Sequence, residues 1–139
     1  SFGEMLRLNR EALAILQQEG QLPEDLEQFY QMLQLNTPLV EYWYRYLQLY
    51  PQVEAQLAGG NQSETLIQTI DELLSQVEAQ LQDHQNRDYQ PVDDMGGALA
   101  RREELLHTQQ YNLELMKKSI LTGQRIPEDR KIMKKGEWW

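Results

Sequence analysis

Apolar residues recur at steps of three and four along nearly the whole chain, the spacing of one helical face, and no stretch alternates as a half-buried strand does. Met5, Leu8, Ala12, Ile15 and Leu16 share one side of a first helix, predicted over about 3–18 and stopped by Gly20. Pro23, followed by Glu24 and Asp25, reads as a first turn: proline lacks only an amide that has no partner there, and acids favour the positive end of a helix. A second helix carries Leu26, Phe29, Tyr30 and Leu33 to about Leu35. Thr37-Pro38 repeats the start signal with Thr37 as cap, and opens a third helix that Pro51 kinks or restarts and Gly59-Gly60 ends.

Ile67, Ile70, Leu74, Val77, Leu81 and His84 form a heptad-like seam, widened by Leu66 and Leu73, on a fourth helix running to about Gln85. Pro91, three aspartates and Gly96-Gly97 mark residues 86–97 as the long loop. A long C-terminal helix follows over about 98–121. Its Leu99, Leu106, Leu113 and Ile120 recur every seven residues, while the alternating seam positions hold Arg102, Gln109 and Met116. A stripe that is half polar predicts a partly covered helix or a weak self-association seam. Gly123 closes it, and Ile126-Pro127-Glu128-Asp129 starts a short terminal helix. The fold class expected is all-α, a single helical bundle of five to six helices. Gln52–Leu57 recurs unchanged at residues 76–81, an echo within a composition of nineteen glutamines; such architectures need at least three repeats of longer period.

Charge divides this helical chain unevenly. Residues 1–99 carry four basic against sixteen acidic side chains, and residues 100–139 carry nine against six, for a net −9. An acidic bundle over 1–121 is therefore expected, followed at 122–139 by a basic, Trp-ended segment packed on it or on a partner. The acidic body is a poor ligand for phosphate backbones, whose affinity comes largely from Lys and Arg. Absence of cysteine removes disulfides and thiolate chemistry and fits a reducing compartment, so a cytoplasmic protein is expected. No apolar run approaches the ~20 residues that span a bilayer.

Candidate chemistry is sparse. There is no phosphate-binding loop and no support for a hydrolase triad, so neither a cofactor nor a metal is expected. Glu104 and His107 have a spacing used in di-iron bundles, but they project away from the leucine seam. Arg102 and His107 form an Arg-x-x-x-x-His spacing that resembles the catalytic motif of HEPN-type ribonucleases, which are dimeric helical bundles. That resemblance covers six residues, with Glu103 standing where the family carries a small polar residue or His. It implies RNA cleavage by the two side chains together across a dimer.

The remaining features point to recognition. Tyr42, Trp43, Tyr44, Tyr46 and Tyr50 crowd one helix with apolar residues almost all round it, which predicts a central position with one of Tyr42, Tyr44 or Tyr46 facing a partner. Lys131, Lys134 and Lys135 precede Trp138 and Trp139, and tryptophan beside cations makes an interface anchor. The reading is a non-enzymatic protein–protein interaction module (an adaptor, assembly factor or regulator) that binds another protein and forms a homodimer or larger. The alternatives are a small HEPN-like helical ribonuclease and a nucleic-acid-associated factor acting through the basic C-terminal segment; under the leading reading neither nucleic acid nor membrane is an expected partner, and no small-molecule substrate is expected.

Overall fold

A computed structural model describes residues 1–59, 64–87 and 98–124. Every regular element among them is an α-helix: α1 (Phe2–Gln18), α2 (Glu24–Gly59), α3 (Glu64–Asn86) and α4 (Ala98–Thr122). The chain divides into two compact units, residues 1–47 and residues 48–139, with the boundary inside α2. No change of composition marks that boundary. The division expected at 121/122 lies at the end of α4, and residues after 124 lie outside the described part.

Among the described residues there are four helices where five to six were expected for the whole chain, and within the described part the difference lies in α2. Residues 24–35 and 37–59 form one helix of 36 residues, about 54 Å long, that carries Pro38 and Pro51 in its interior. Thr37 is not a cap. Its hydroxyl is buried with no hydrogen-bond partner, so it makes none of the amide contacts by which a threonine starts a helix. The terminal helix expected from Pro127 lies outside the described residues.

The other boundaries follow local chemistry. Ser1 caps α1 by accepting the Glu4 amide at 3.3 Å, and Glu19, in an extended conformation, ends it. The Pro23 carbonyl accepts the Glu27 amide at 2.9 Å, and Glu24, Asp25 and Glu27 fill the first turn of α2. After α4, Gly123 takes φ +71°, the left-handed conformation that terminates helices and that a Cβ would disfavour.

In the second unit α3 and α4 are antiparallel partners, fixed at both ends by polar bonds. Lys117 Nζ donates to Asp71 Oδ1 at 2.8 Å, and Arg102 Nη1 meets His84 Nδ1 at 2.7 Å. Between these anchors the register sets Leu81 level with Leu106, Val77 with Gln109, Leu73 with Leu113 and Ile70 with Met116. All eight side chains are buried. The seam of α4 is thus core and not the partly covered stripe its polar half predicted. Arg102, Gln109 and Met116 are as enclosed as Leu106, Leu113 and Ile120, and Asn112 and Ser119 widen the buried face. Leu49 and Val53, on the part of α2 that belongs to this unit, are buried as well.

Candidate functional site

The first unit leaves a large part of its apolar surface uncovered. On α1, residues advance about 100° each, so Met5, Leu8, Ala12 and Ile15 fall within about 80° of arc. Phe2, Leu6, Leu13 and Leu16 continue the same apolar surface through a further ~100°. The second half is the better covered: Phe2 and Leu6 are buried, and Leu13 and Leu16 half-buried, as is Ala12 in the first half. Met5, Leu8 and Ile15 remain 40%, 51% and 62% exposed. On the first turns of α2, Leu26, Phe29 and Met32 are 39–49% exposed.

Acids rim this surface. Glu4 and Glu11 flank the α1 stripe, and Arg7 bonds both, reaching Glu11 Oε1 at 2.8 Å. The bond from Arg7 holds the Glu4 carboxyl below its usual range, and the same pairing raises the guanidinium pKa. Arg10 pairs with Glu41 at 3.3 Å. From Glu11 to Glu41 there are six acidic residues and no Lys or Arg at all. Where α1 turns into α2, Leu16, Leu22 and Tyr30 line an open hollow with Glu19 and Glu27 among its walls.

The aromatic residues of α2 separate by helical phase. Tyr42, Trp43 and Tyr46 are each 1% exposed and form one cluster. The Tyr42 and Tyr46 rings stack at 5.6 Å, and the indole meets both edge-on, at 4.7 and 5.8 Å. Steps of three and four bring these rings to one face, and edge contacts set the positive ring rim against a negative face. Of the three tyrosines, one of which was expected to face a partner, Tyr42 and Tyr46 are buried in the core. Tyr44 is the tyrosine of that trio at the surface, 37% exposed, with its ring edge over Gly3. A Cβ on Gly3 would lie 3.1 Å from Tyr44 Cε2, so the small residue lets α1 approach this ring.

At the loop end of the α3–α4 pair stands a polar cluster. Arginine stays protonated, so Arg102 Nη1 donates and His84 Nδ1 accepts. The imidazole proton then sits on Nε2, 3.9 Å from Glu103 Oε2, and the second Glu103 oxygen is 3.8 Å from His107 Nε2. His84 and Arg102 are buried, whereas the His107 side chain is 54% exposed. Five residues along a helix turn about 140°. Arg102 and His107 consequently face apart, and the pair that resembles a ribonuclease motif does not converge within one chain. Glu104 is likewise on the exposed side of α4. Among the described residues no group of three His, Asp or Glu side chains can hold a metal ion, and no helix is long and apolar enough to cross a membrane.

Burial pushes the His84 pKa down, and the neighbouring Arg102 charge adds to it; Glu103 and Asp83 oppose, and Arg87 reinforces. The folded state then binds the imidazole proton less readily than the unfolded state, whose histidine titrates near ~6.5. The stabilisation is complete above that pH and is lost as pH falls below it, with a slope of at most about 1.4 kcal/mol per unit from one proton. Urea midpoints between pH 7.5 and 5.5 should therefore fall more steeply for the native chain than for His84→Gln, which retains an acceptor for Arg102. Parallel profiles would remove His84 as the cause.

Lys131, Lys134, Lys135, Trp138 and Trp139 lie outside the described residues. The exposed face of the first unit is the feature that sequence reading missed. Its signal was present: α1 is apolar over about half its circumference, more than one neighbouring helix covers. No protein-family model, no curated protein and no solved structure matches this chain.

Proposed function

We propose that this chain is a protein-recognition module whose docking surface is the exposed face of its first unit. The observation that carries this reading is the grouping of Met5, Leu8, Ile15, Leu26, Phe29 and Met32, each more than a third exposed, on two consecutive helices. Single apolar residues at a surface are ordinary, but large apolar patches rimmed by polar groups mark interaction sites. Such a module works as an adaptor, assembly factor or regulator by binding and not by bond chemistry. The absence of cysteine suits it to the reducing cytoplasm.

The paired substitution Leu8→Gln, Phe29→Gln tests the reading, because glutamine keeps helix propensity and adds no charge. The expected result is unchanged helicity by circular dichroism, with at least a tenfold loss in capture of the protein partner by a tagged full-length chain. Equal capture by the native and substituted chains would sink the assignment.

A further inference from the structure

On the basis of that docking reading, we infer that the face receives residues 125–139 of a second copy of this chain. Two such faces are poor partners for each other: Glu19, Glu24, Asp25 and Glu27 stand together with no Lys or Arg among them, and would set like charge against like. The complementary surface is basic and apolar together. Residues 125–139 supply it, with Arg125, Arg130, Lys131, Lys134 and Lys135 against three acids, and with Ile132, Trp138 and Trp139. The hollow at the α1–α2 turn offers what such a segment needs, with Leu16, Leu22 and Tyr30 to bury an indole and Glu19 and Glu27 to meet the cations.

The contact joins unlike surfaces, so each copy offers one face and one tail. This gives a complementation experiment with full-length chains, read by sedimentation velocity over a range of concentrations. The native chain should associate, and more weakly as salt rises. Trp138→Ala/Trp139→Ala removes the tail anchor, Leu8→Gln/Phe29→Gln removes the face, and each should raise the dissociation constant of self-association at least tenfold. Mixed in equal amounts, the two variants retain one good face and one good tail, and should form a dimer and nothing larger. A chain that is monomeric throughout, as when the tail folds back on its own copy, overturns the inference. So does association that survives Trp138→Ala/Trp139→Ala, the outcome for a symmetric contact. If partner capture is lost with Leu8→Gln/Phe29→Gln while self-association ignores the tryptophans, this inference falls and the docking reading stands. If Leu8→Gln/Phe29→Gln changes neither, both fall.

Discussion

Trp43→Ala should lower the unfolding free energy by about 3–5 kcal/mol, the range for deleting a large aromatic from a packed interior. The indole is 1% exposed and supplies an edge contact to each of two tyrosine rings that stack on each other. Truncation therefore leaves a cavity and also strips Tyr42 and Tyr46 of their edge-on neighbour. Domains of this size are stable by roughly 5–15 kcal/mol, so about a fifth or more of the total goes with one side chain. The melting temperature should fall by about 10 °C. Tyr44→Ala is the internal comparison: two residues from either tyrosine of the cluster, it lies about 160° round the helix from them and is 37% exposed, and its loss should cost about 1 kcal/mol or less. Urea denaturation followed by circular dichroism decides the matter. Equal losses for the two variants would mean that the cluster is not the core of the first unit.

Pro38→Ala should act in the opposite direction. Within α2, proline lacks the amide that would bond the Gln34 carbonyl, and its ring crowds that same carbonyl. Alanine restores the donor and carries far better helix propensity, a difference of about 3 kcal/mol in an exposed helix interior. Proline also stiffens the unfolded chain, which offsets about 1 kcal/mol of that gain. A net rise of about 2 kcal/mol is expected, with the melting temperature up by about 6 °C. A fall in stability would show that the helix is built around the proline ring at this point.

That proline also explains where sequence reading parted from structure. Start and stop signals at Pro23, Gly59 and Gly123 were legible because each acts through its own backbone within one turn. Thr37-Pro38 has the same local form, yet Leu33, Thr37 and Leu39 are buried on either side of it, and packing keeps the helix intact through the break. The seam of α4 failed to read for a similar reason. Arginine at position 102 looks like a surface residue until His84, eighteen positions earlier, supplies its acceptor. The α1 stripe shows the limit from the other side: spacing located the apolar arc, but which half finds a neighbour depends on how α2 lies against it within the unit.

The polar members of the α3–α4 interface carry one more implication. Antiparallel helices joined by eleven residues can in principle slide by a heptad and still bury leucines on both sides. Such a slip would carry the Arg102 guanidinium off His84 and set it level with Val77, where a valine has nothing to accept its protons, and would part Lys117 from Asp71. A buried charge stripped of its acceptor costs several kcal/mol. The two bonds therefore act as a latch on alignment, selecting one pairing of the hairpin from shifted alternatives that hydrophobicity alone would tolerate.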